Sequence, residues 1–337
     1  MPGRAASSPR YLVARLSSFG DVVLAEPVVR RLKAADPRCD VTFATYEEYA
    51  AIPAMFAGVD RVMPLEHGAG SRGPAAADGR TWDIAVDLQN NLRSRRLLAR
   101  LKPRRVLRYR RQYARRLLRV YAPRLWRGTL KHTVEIYLEA LKPLGIETGR
   151  VPPAVVVPPG ELGAAIARLG TGNLLGVCPG GSSPHKMWGR QRFAALVDLL
   201  AAGGSRVVVV GGECDRAEVE AVAGAARAGA PLTFIGDGAG AVAAALALCE
   251  VVVSNDSGLM HLAGAVGAKV VGIFGPTSPD LGFAPLAPGA VVSRDAPCSP
   301  CSYHGNRPCR LSRAFCLEDI EPGEVYAVVR RVSANGR

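Results

Sequence analysis

No stretch of this 337-residue chain is apolar enough to cross a bilayer. The longest nearly apolar run, Ala241 to Val253, carries Glu250 and falls short of the roughly 20 residues that a spanning helix needs. The opening residues lack the apolar core of a secretory signal and lead into a strand that holds Arg15, so a cytoplasmic protein is expected. Charge is sparse too: 21% of residues are charged against 48% apolar, which excludes disorder and describes a globular protein long enough for two domains with full cores. There is no Gly-x4-Gly-Lys-Ser/Thr loop and no Gly-x-Gly-x-x-Gly after the first strand, which weighs against classical nucleotide hydrolysis and nicotinamide binding. Nor is there an Asp-x-Asp pair of the kind that carries a metal to a diphosphate.

One more absence is of acid. Between Leu88 and Val134 there is no Asp or Glu, while residues 93–131 hold sixteen of the Arg and Lys that bring the net charge to +14. These are interleaved with Leu, Tyr and Val at helix-like spacing. Such a segment looks for an anionic surface. Anionic lipid headgroups, at about 1 kcal/mol per basic residue, a phosphorylated acceptor and nucleic acid all qualify. The bland alternative is a solvated face, but uncompensated charges at this density repel one another.

What is present is an alternation of strand and helix. The pattern predicts strands over Tyr11–Leu16, Cys39–Ala44, Arg61–Met63 and Asp83–Asp87, and helices over Asp21–Ala35, Arg93–Leu101, Arg111–Tyr121 and Thr133–Leu141. A Pro-rich stretch from Val151 to Gly160 then reads as a connector. Beyond it the alternation restarts, with strands over Leu174–Val177, Arg206–Val210, Leu232–Ile235, Val251–Ser254 and Lys269–Phe274 and helices between them. An α/β protein of two Rossmann-like domains follows, 1–155 and 156–320. Residues 321–337 form a last helix, expected to pack back on the first domain.

Ligands of doubly wound sheets sit beyond the carboxyl ends of strands, so the loops leaving strands carry the chemistry. In Asn255-Asp256-Ser257-Gly258-Leu259-Met260-His261 an apolar strand turns sharply into a helix. Gly258 admits a close backbone approach, the helix start offers free N–H groups with Asp256 or Ser257 as cap, and His261 faces the same mouth one turn on. This is an anion pocket or an ordinary capped helix. The loop Pro179 to Trp188 adds Gly180, Gly181, Ser182, Ser183 and Lys186, a combination that suits a diphosphate. A third loop, Ser17 to Asp21, ends in an acid that either caps the following helix or serves as a general base. Of the eight cysteines, Cys39, Cys178, Cys214 and Cys249 read as reduced thiols. Cys298, Cys301, Cys309 and Cys316 are a candidate structural zinc site, with packed free thiols or redox pairing as alternatives.

Together the loops resemble glycosyltransferase family 9, the heptosyltransferases of lipopolysaccharide core assembly. The resemblance rests on the stretches Arg15–Val22, Trp82–Gln89, Pro179–Ser183 with Lys186 and Trp188, Asn255–Ala263 and Gly272–Thr277, and continues into the cysteine-rich segment. It implies the GT-B architecture, two Rossmann-like domains facing each other across a cleft, with the nucleotide-sugar mainly on the second. It implies an inverting transfer of heptose from ADP-L-glycero-D-manno-heptose to a lipopolysaccharide core acceptor, with Asp21 as general base and Lys186 on the donor phosphates. By the same resemblance Gly181, Ser182, Asp256, Ser257, Gly258 and His261 match nucleotide-sugar positions, and either Glu213 or Asp215 meets the ribose. No metal is expected for the chemistry. The acceptor is an anionic lipid-linked saccharide on the inner leaflet of the cytoplasmic membrane, a natural partner for segment 93–131 of a peripheral protein. Transfer of another nucleotide-activated sugar, transfer to a protein acceptor, and a non-enzymatic nucleic-acid-binding module are the competing readings.

Overall fold

The computed structural model describes residues 8–67, 79–122, 124–125, 128–172 and 174–334, so Arg127 of the basic segment and the last three residues of the closing stretch lie outside the described residues. By its contacts the chain divides into two compact units, Met1–Arg111 with Thr133–Val155, and Gln112–His132 with Val156–Arg337.

The first unit contains β1 (Arg10–Ala14), α1 (Phe19–Val23), α2 (Glu26–Ala35), β2 (Asp40–Tyr46), β3 (Arg61–Leu65), β4 (Ile84–Asp87), α3 (Leu92–Leu101) and β5 (Arg105–Arg108). The next helix, α4 (Tyr113–Tyr121), belongs to the second unit, and α5 (Thr133–Leu138) returns to the first. The strands form a parallel sheet in the order β3-β2-β1-β4-β5. β1, β2 and β4 are buried almost throughout, as strands covered on both faces are. The helix expected over Asp21–Ala35 is two helices. Pro27 has no N–H to donate and its ring crowds the carbonyl four residues back, so the chain breaks at Leu24 and Ala25 before restarting.

The second unit continues with α6 (Pro159–Leu169), β6 (Leu174–Cys178), α7 (Arg190–Ala202), β7 (Arg206–Gly212), α8 (Arg216–Ala225), β8 (Leu232–Gly236), α9 (Ala239–Ala247), β9 (Cys249–Asn255), α10 (Gly258–Ala265), β10 (Lys269–Phe274), β11 (Gly289–Ser293), α11 (Phe315–Glu318) and α12 (Pro322–Ala334). Its sheet is also parallel, in the order β11-β10-β9-β6-β7-β8. The core packs Trp188 and Phe193 edge to face, with Val177, Val209, Val253 and Ile273 beneath them.

The structure adds detail at α12, in the basic segment and in the Pro-rich stretch. α12 belongs to the second unit, where Val325, Val329 and Val332 lie in the core. The basic segment is not one body, since α3 and β5 cluster with the first unit and residues Gln112–His132 with the second. Nor is its charge uncompensated, because Arg104 meets Asp83 at 3.2 Å, Arg108 meets Asp87 at 3.3 Å and Arg119 meets Asp280 at 3.8 Å, all acids distant in sequence. The Pro-rich stretch also ends sooner than expected, because Pro159 opens α6, where its missing N–H costs nothing.

Candidate active site

In each sheet the strand order reverses at one place, between β1 and β4 and between β6 and β9. The loops leaving those strands are where a ligand would be held. The three loops singled out from sequence leave β1, β6 and β9.

In the second unit Asn255, at the end of β9, ties two of these loops together. Its Nδ2 donates to the carbonyls of Pro179 at 2.7 Å and Gly180 at 3.1 Å, and its Oδ1 accepts from the Trp188 N–H at 3.0 Å. A buried amide with its partners met in this way costs little to bury and a good deal to remove. Trp188 is anchored in turn, its Nε1 donating to the carbonyl of Ile320 at 2.9 Å. Between these fixed points a 3-10 turn, Pro184–Lys186, presents Lys186.

Lys186 Nζ lies 2.8 Å from Asp256 Oδ2, both side chains about 11% exposed, and Thr277 Oγ1 donates to the same oxygen at 2.7 Å. The carboxylate is thereby turned away from the helix that follows it. Ser257 stands at the N-cap of α10 in extended backbone, yet no side chain caps the helix, and its hydroxyl sits 3.3 Å from Ser254 Oγ. The expectation of an Asp256 or Ser257 cap is therefore corrected: Asp256 holds Lys186 instead. The first N–H groups of α10, uncapped by any side chain and beside an ammonium, form a cradle for an anion. His261 is buried on the same helix, Gly181 is half-buried and Ser182 exposed in the β6 loop.

The two acids after β7 behave differently. Glu213 is exposed and pairs with Arg216 at 2.7 Å, which holds its carboxyl below the usual range. Asp215 accepts from the Gly212 N–H at 3.2 Å, and its side chain fills the space where Gly180 and Gly211 lack a Cβ. Burial pushes its carboxyl up, against the Gly212 bond that lowers it. Asp215 is thus a prop between the β6 and β7 loops, and Glu213 is the acid on the surface.

In the first unit the β1 loop is stitched to the β4 loop by Gln89, whose Oε1 accepts from the N–H groups of Leu16 at 3.0 Å and Ser17 at 3.2 Å. Fully buried Asp87 fixes the β4 side, accepting from Asn90 N–H at 2.7 Å and Ser94 Oγ at 3.1 Å. Asp21 sits in the first turn of α1. Its Oδ2 takes Arg15 Nη2 at 2.7 Å and Ser18 Oγ at 3.1 Å, and its Oδ1 takes the Tyr137 hydroxyl at 3.1 Å. Burial raises its carboxyl, but Arg15 and the hydroxyl donors outweigh that and hold it below the ordinary value. Tyr137, buried beside this pair, is pushed well above the usual phenol range and stays a donor. Arg15 is held in place by the Leu88 carbonyl at 2.7 Å.

Among the described residues no group of three or more His, Cys, Asp or Glu side chains is arranged to hold a metal ion. Cys316 is buried in the core, Cys298 and Cys301 are half-buried, and Cys309 is exposed. Burial, with the neighbouring thiols, pushes Cys316 up to about 11. The candidate zinc site does not fit the residues as placed.

A family model for glycosyltransferase family 9 (heptosyltransferase) matches residues 77–310, a span that runs from before β4 through the Lys186 and Asp256 loops. The chain belongs to this family. Similar proteins include the lipooligosaccharide heptosyltransferase 2 of Haemophilus influenzae, 26% identical over an alignment of 325 positions that covers 84% of this chain and 88% of the relative. Among solved structures, a family 9 glycosyl transferase from Veillonella parvula superposes with a TM-score of 0.79 at 20% identity, covering 97% of this chain and 98% of the other. The ADP-heptose lps heptosyltransferase II of E. coli gives 0.75 at 22% identity, over 97% and 99%. The fold is GT-B, two Rossmann-like domains, and the protein is a glycosyltransferase of family 9. With that, the reading as a non-enzymatic nucleic-acid module falls away.

Sequence reasoning missed Arg15, Tyr137 and Thr277 as parts of these clusters. Arg15 and Thr277 stand inside stretches that carry the family resemblance. Tyr137 comes from α5, far along the chain from Asp21, and no local pattern points to it.

Proposed function

We propose that this enzyme transfers the heptosyl group of ADP-L-glycero-D-manno-heptose to a lipopolysaccharide core saccharide, with inversion at the anomeric carbon. The observation that carries the reading is the uncapped start of α10 beside the Lys186–Asp256–Thr277 cluster, at the strand-order reversal of its sheet. A diphosphate seated there meets backbone N–H groups, the helix dipole, which adds about 0.3–1 kcal/mol, and an ammonium that keeps donors to spare beyond its bond to Asp256. As the glycosidic C–O bond breaks, negative charge grows on the departing ADP, and Lys186 and α10 stabilise it. Asp21 takes the proton of the acceptor hydroxyl while that oxygen forms the new bond to the anomeric carbon. A depressed carboxyl is a weak base, but one that is fully ionised at working pH, and the proton moves only as the hydroxyl becomes acidic in the transition state.

In this reading Gly181, Ser182, Ser257, Gly258 and His261 line the donor, and exposed Glu213, rather than Asp215, is the acid for the ribose. Lysine and helix N-terminus neutralise the diphosphate, so the reaction needs no metal. The enzyme works at the cytoplasmic face of the inner membrane. Support comes from segment 93–131, which carries apolar side chains into solvent among its arginines, Tyr113 at 46% and Leu125 at 79% exposure. Among the described residues no helix is long and apolar enough to cross a membrane.

The test is to incubate the protein with ADP-heptose, alone and with a core acceptor, beside a panel of other nucleotide-sugars. ADP release from ADP-heptose that depends on the acceptor is expected. Acceptor-dependent turnover of a different nucleotide-sugar, with ADP-heptose inert, would overturn the donor assignment.

A further inference from the structure

Lys186 is held by its stem as well as by its head. The backbone of Gly305, in the cysteine-rich stretch, lies against the lysine side chain so closely that an added Cβ would overlap its Cγ and Cδ. Gly305 also has φ +69, a left-handed conformation that strains residues carrying a Cβ. Its N–H donates to Ser302 Oγ at 2.9 Å, and Ser302 is buried. The N–H groups of Cys301 and Ser302 both donate to the carbonyl of Pro276, at 3.0 and 3.1 Å. Pro276 precedes Thr277, the residue that holds Asp256, and Asp256 holds the ammonium of Lys186. A closed circuit therefore runs from the lysine head through Asp256, Thr277 and Pro276 to the Ser302–Gly305 turn and back to the lysine stem. From outside the circuit, Arg116 of α4 donates to the Tyr303 hydroxyl at 3.1 Å.

We propose that the Ser302–Gly305 turn is a positioning device for Lys186, setting where its ammonium meets the donor diphosphate. The proposal rests on the reading of Lys186 as the donor-phosphate residue. A lysine has a long, freely rotating stem, and a stem that must be ordered on binding weakens the complex by part of the entropy it loses. Gly305 removes the freedom beforehand by offering a flat backbone surface, and the bond from Gly305 to Ser302 keeps that surface in place. This gives the cysteine-rich stretch a task that needs no metal.

The experiment is a double-mutant cycle on the full-length protein, with ADP as the titrated ligand in calorimetry. Gly305→Ala is expected to weaken ADP about tenfold, the equivalent of ~1.4 kcal/mol, and to raise the donor KM while leaving the acceptor KM unmoved. In a Lys186→Met background the same substitution is expected to change ADP affinity by less than about twofold, because the residue it acts through is gone. Ser302→Ala, a milder change that spares φ, should weaken ADP about threefold and lose that effect in the same background, and it carries the cycle if Gly305→Ala folds poorly. Equal weakening in both backgrounds would mean that the turn supports the fold and not the lysine, and would overturn the proposal. Wild-type affinity in Lys186→Met alone would remove the lysine from the donor site and the proposal with it.

Discussion

Each unit holds a carboxylate beside the strand-order reversal of its sheet, and the two are treated in opposite ways. Asp21, at the reversal of the first sheet, is saturated by its own neighbours: Arg15, Ser18 and Tyr137 occupy both oxygens and keep it ionised. Asp256, at the reversal of the second, spends one oxygen on Lys186 and Thr277 and leaves the adjacent helix start uncapped. The first arrangement fixes a charge state. The second brings a cation and a set of N–H groups together. In the proposed function the same switch-point architecture supplies a proton acceptor in one unit and an anion cradle in the other, and the difference lies in which neighbours satisfy the acid.

The sharpest way to break this comparison is Asp21→Asn. Loss of a general base should lower turnover about a hundredfold to ten-thousandfold in a steady-state transfer assay. The substitution also leaves Arg15 buried beside an uncharged amide, so stability should fall, toward the ~3–5 kcal/mol seen when one partner of a buried pair is removed. Adding Arg15→Met is expected to restore much of the melting temperature and none of the turnover, which separates folding from chemistry. Rescue of both would make the pair structural only.

Lys186→Met comes next. A charge-assisted hydrogen bond contributes about 1.5–3 kcal/mol, so the donor KM should rise roughly ten- to a hundredfold with little change in acceptor KM. Asn255→Ala should act more weakly on the same site. It leaves two carbonyls and the Trp188 N–H without partners, and both the melting temperature and the donor KM should move, the latter by about fivefold.

The smallest effect concerns pH. The folded value of Asp21 lies below the ordinary 3.8, so its ionisation stabilises the fold above that pH, and the contribution is lost as pH falls through the depressed value. Tyr137→Phe removes a donor that favours the ionised form, so the Asp21 value should rise toward the ordinary one. The acid limb of kcat/KM should move to higher pH with the maximal rate nearly kept. An acid limb that stays put would show that Tyr137 does not tune this carboxylate.

Much of the architecture was legible in the sequence because it is periodic. β10 lies over the expected residues, Lys269–Phe274, and the helices α7 to α10 fall between the strands as expected. The strands β5 and β11 were not expected. β5 is only Arg-Val-Leu-Arg, Arg105–Arg108, too short for any period to stand out in an arginine-rich stretch. The donor-side loops were legible as a group, since glycine, hydroxyl and lysine cluster locally. Who satisfies whom was not. The bonds from Tyr137 to Asp21 and from Thr277 to Asp256 join residues far apart in the chain, and only the fold brings them together. The same holds for Gln112–His132, whose basic composition says nothing about which unit it packs with, and for Gly305, whose part is visible only against the stem of Lys186.

The division of labour between the two carboxylate sites is tested most directly by titrating ADP into Asp21→Asn and Lys186→Met side by side in a calorimeter. The account predicts that the Asp21 variant binds ADP within about twofold of the wild type while the Lys186 variant binds it ten- to a hundredfold more weakly. Equal weakening in both, or a loss confined to the Asp21 variant, would contradict it.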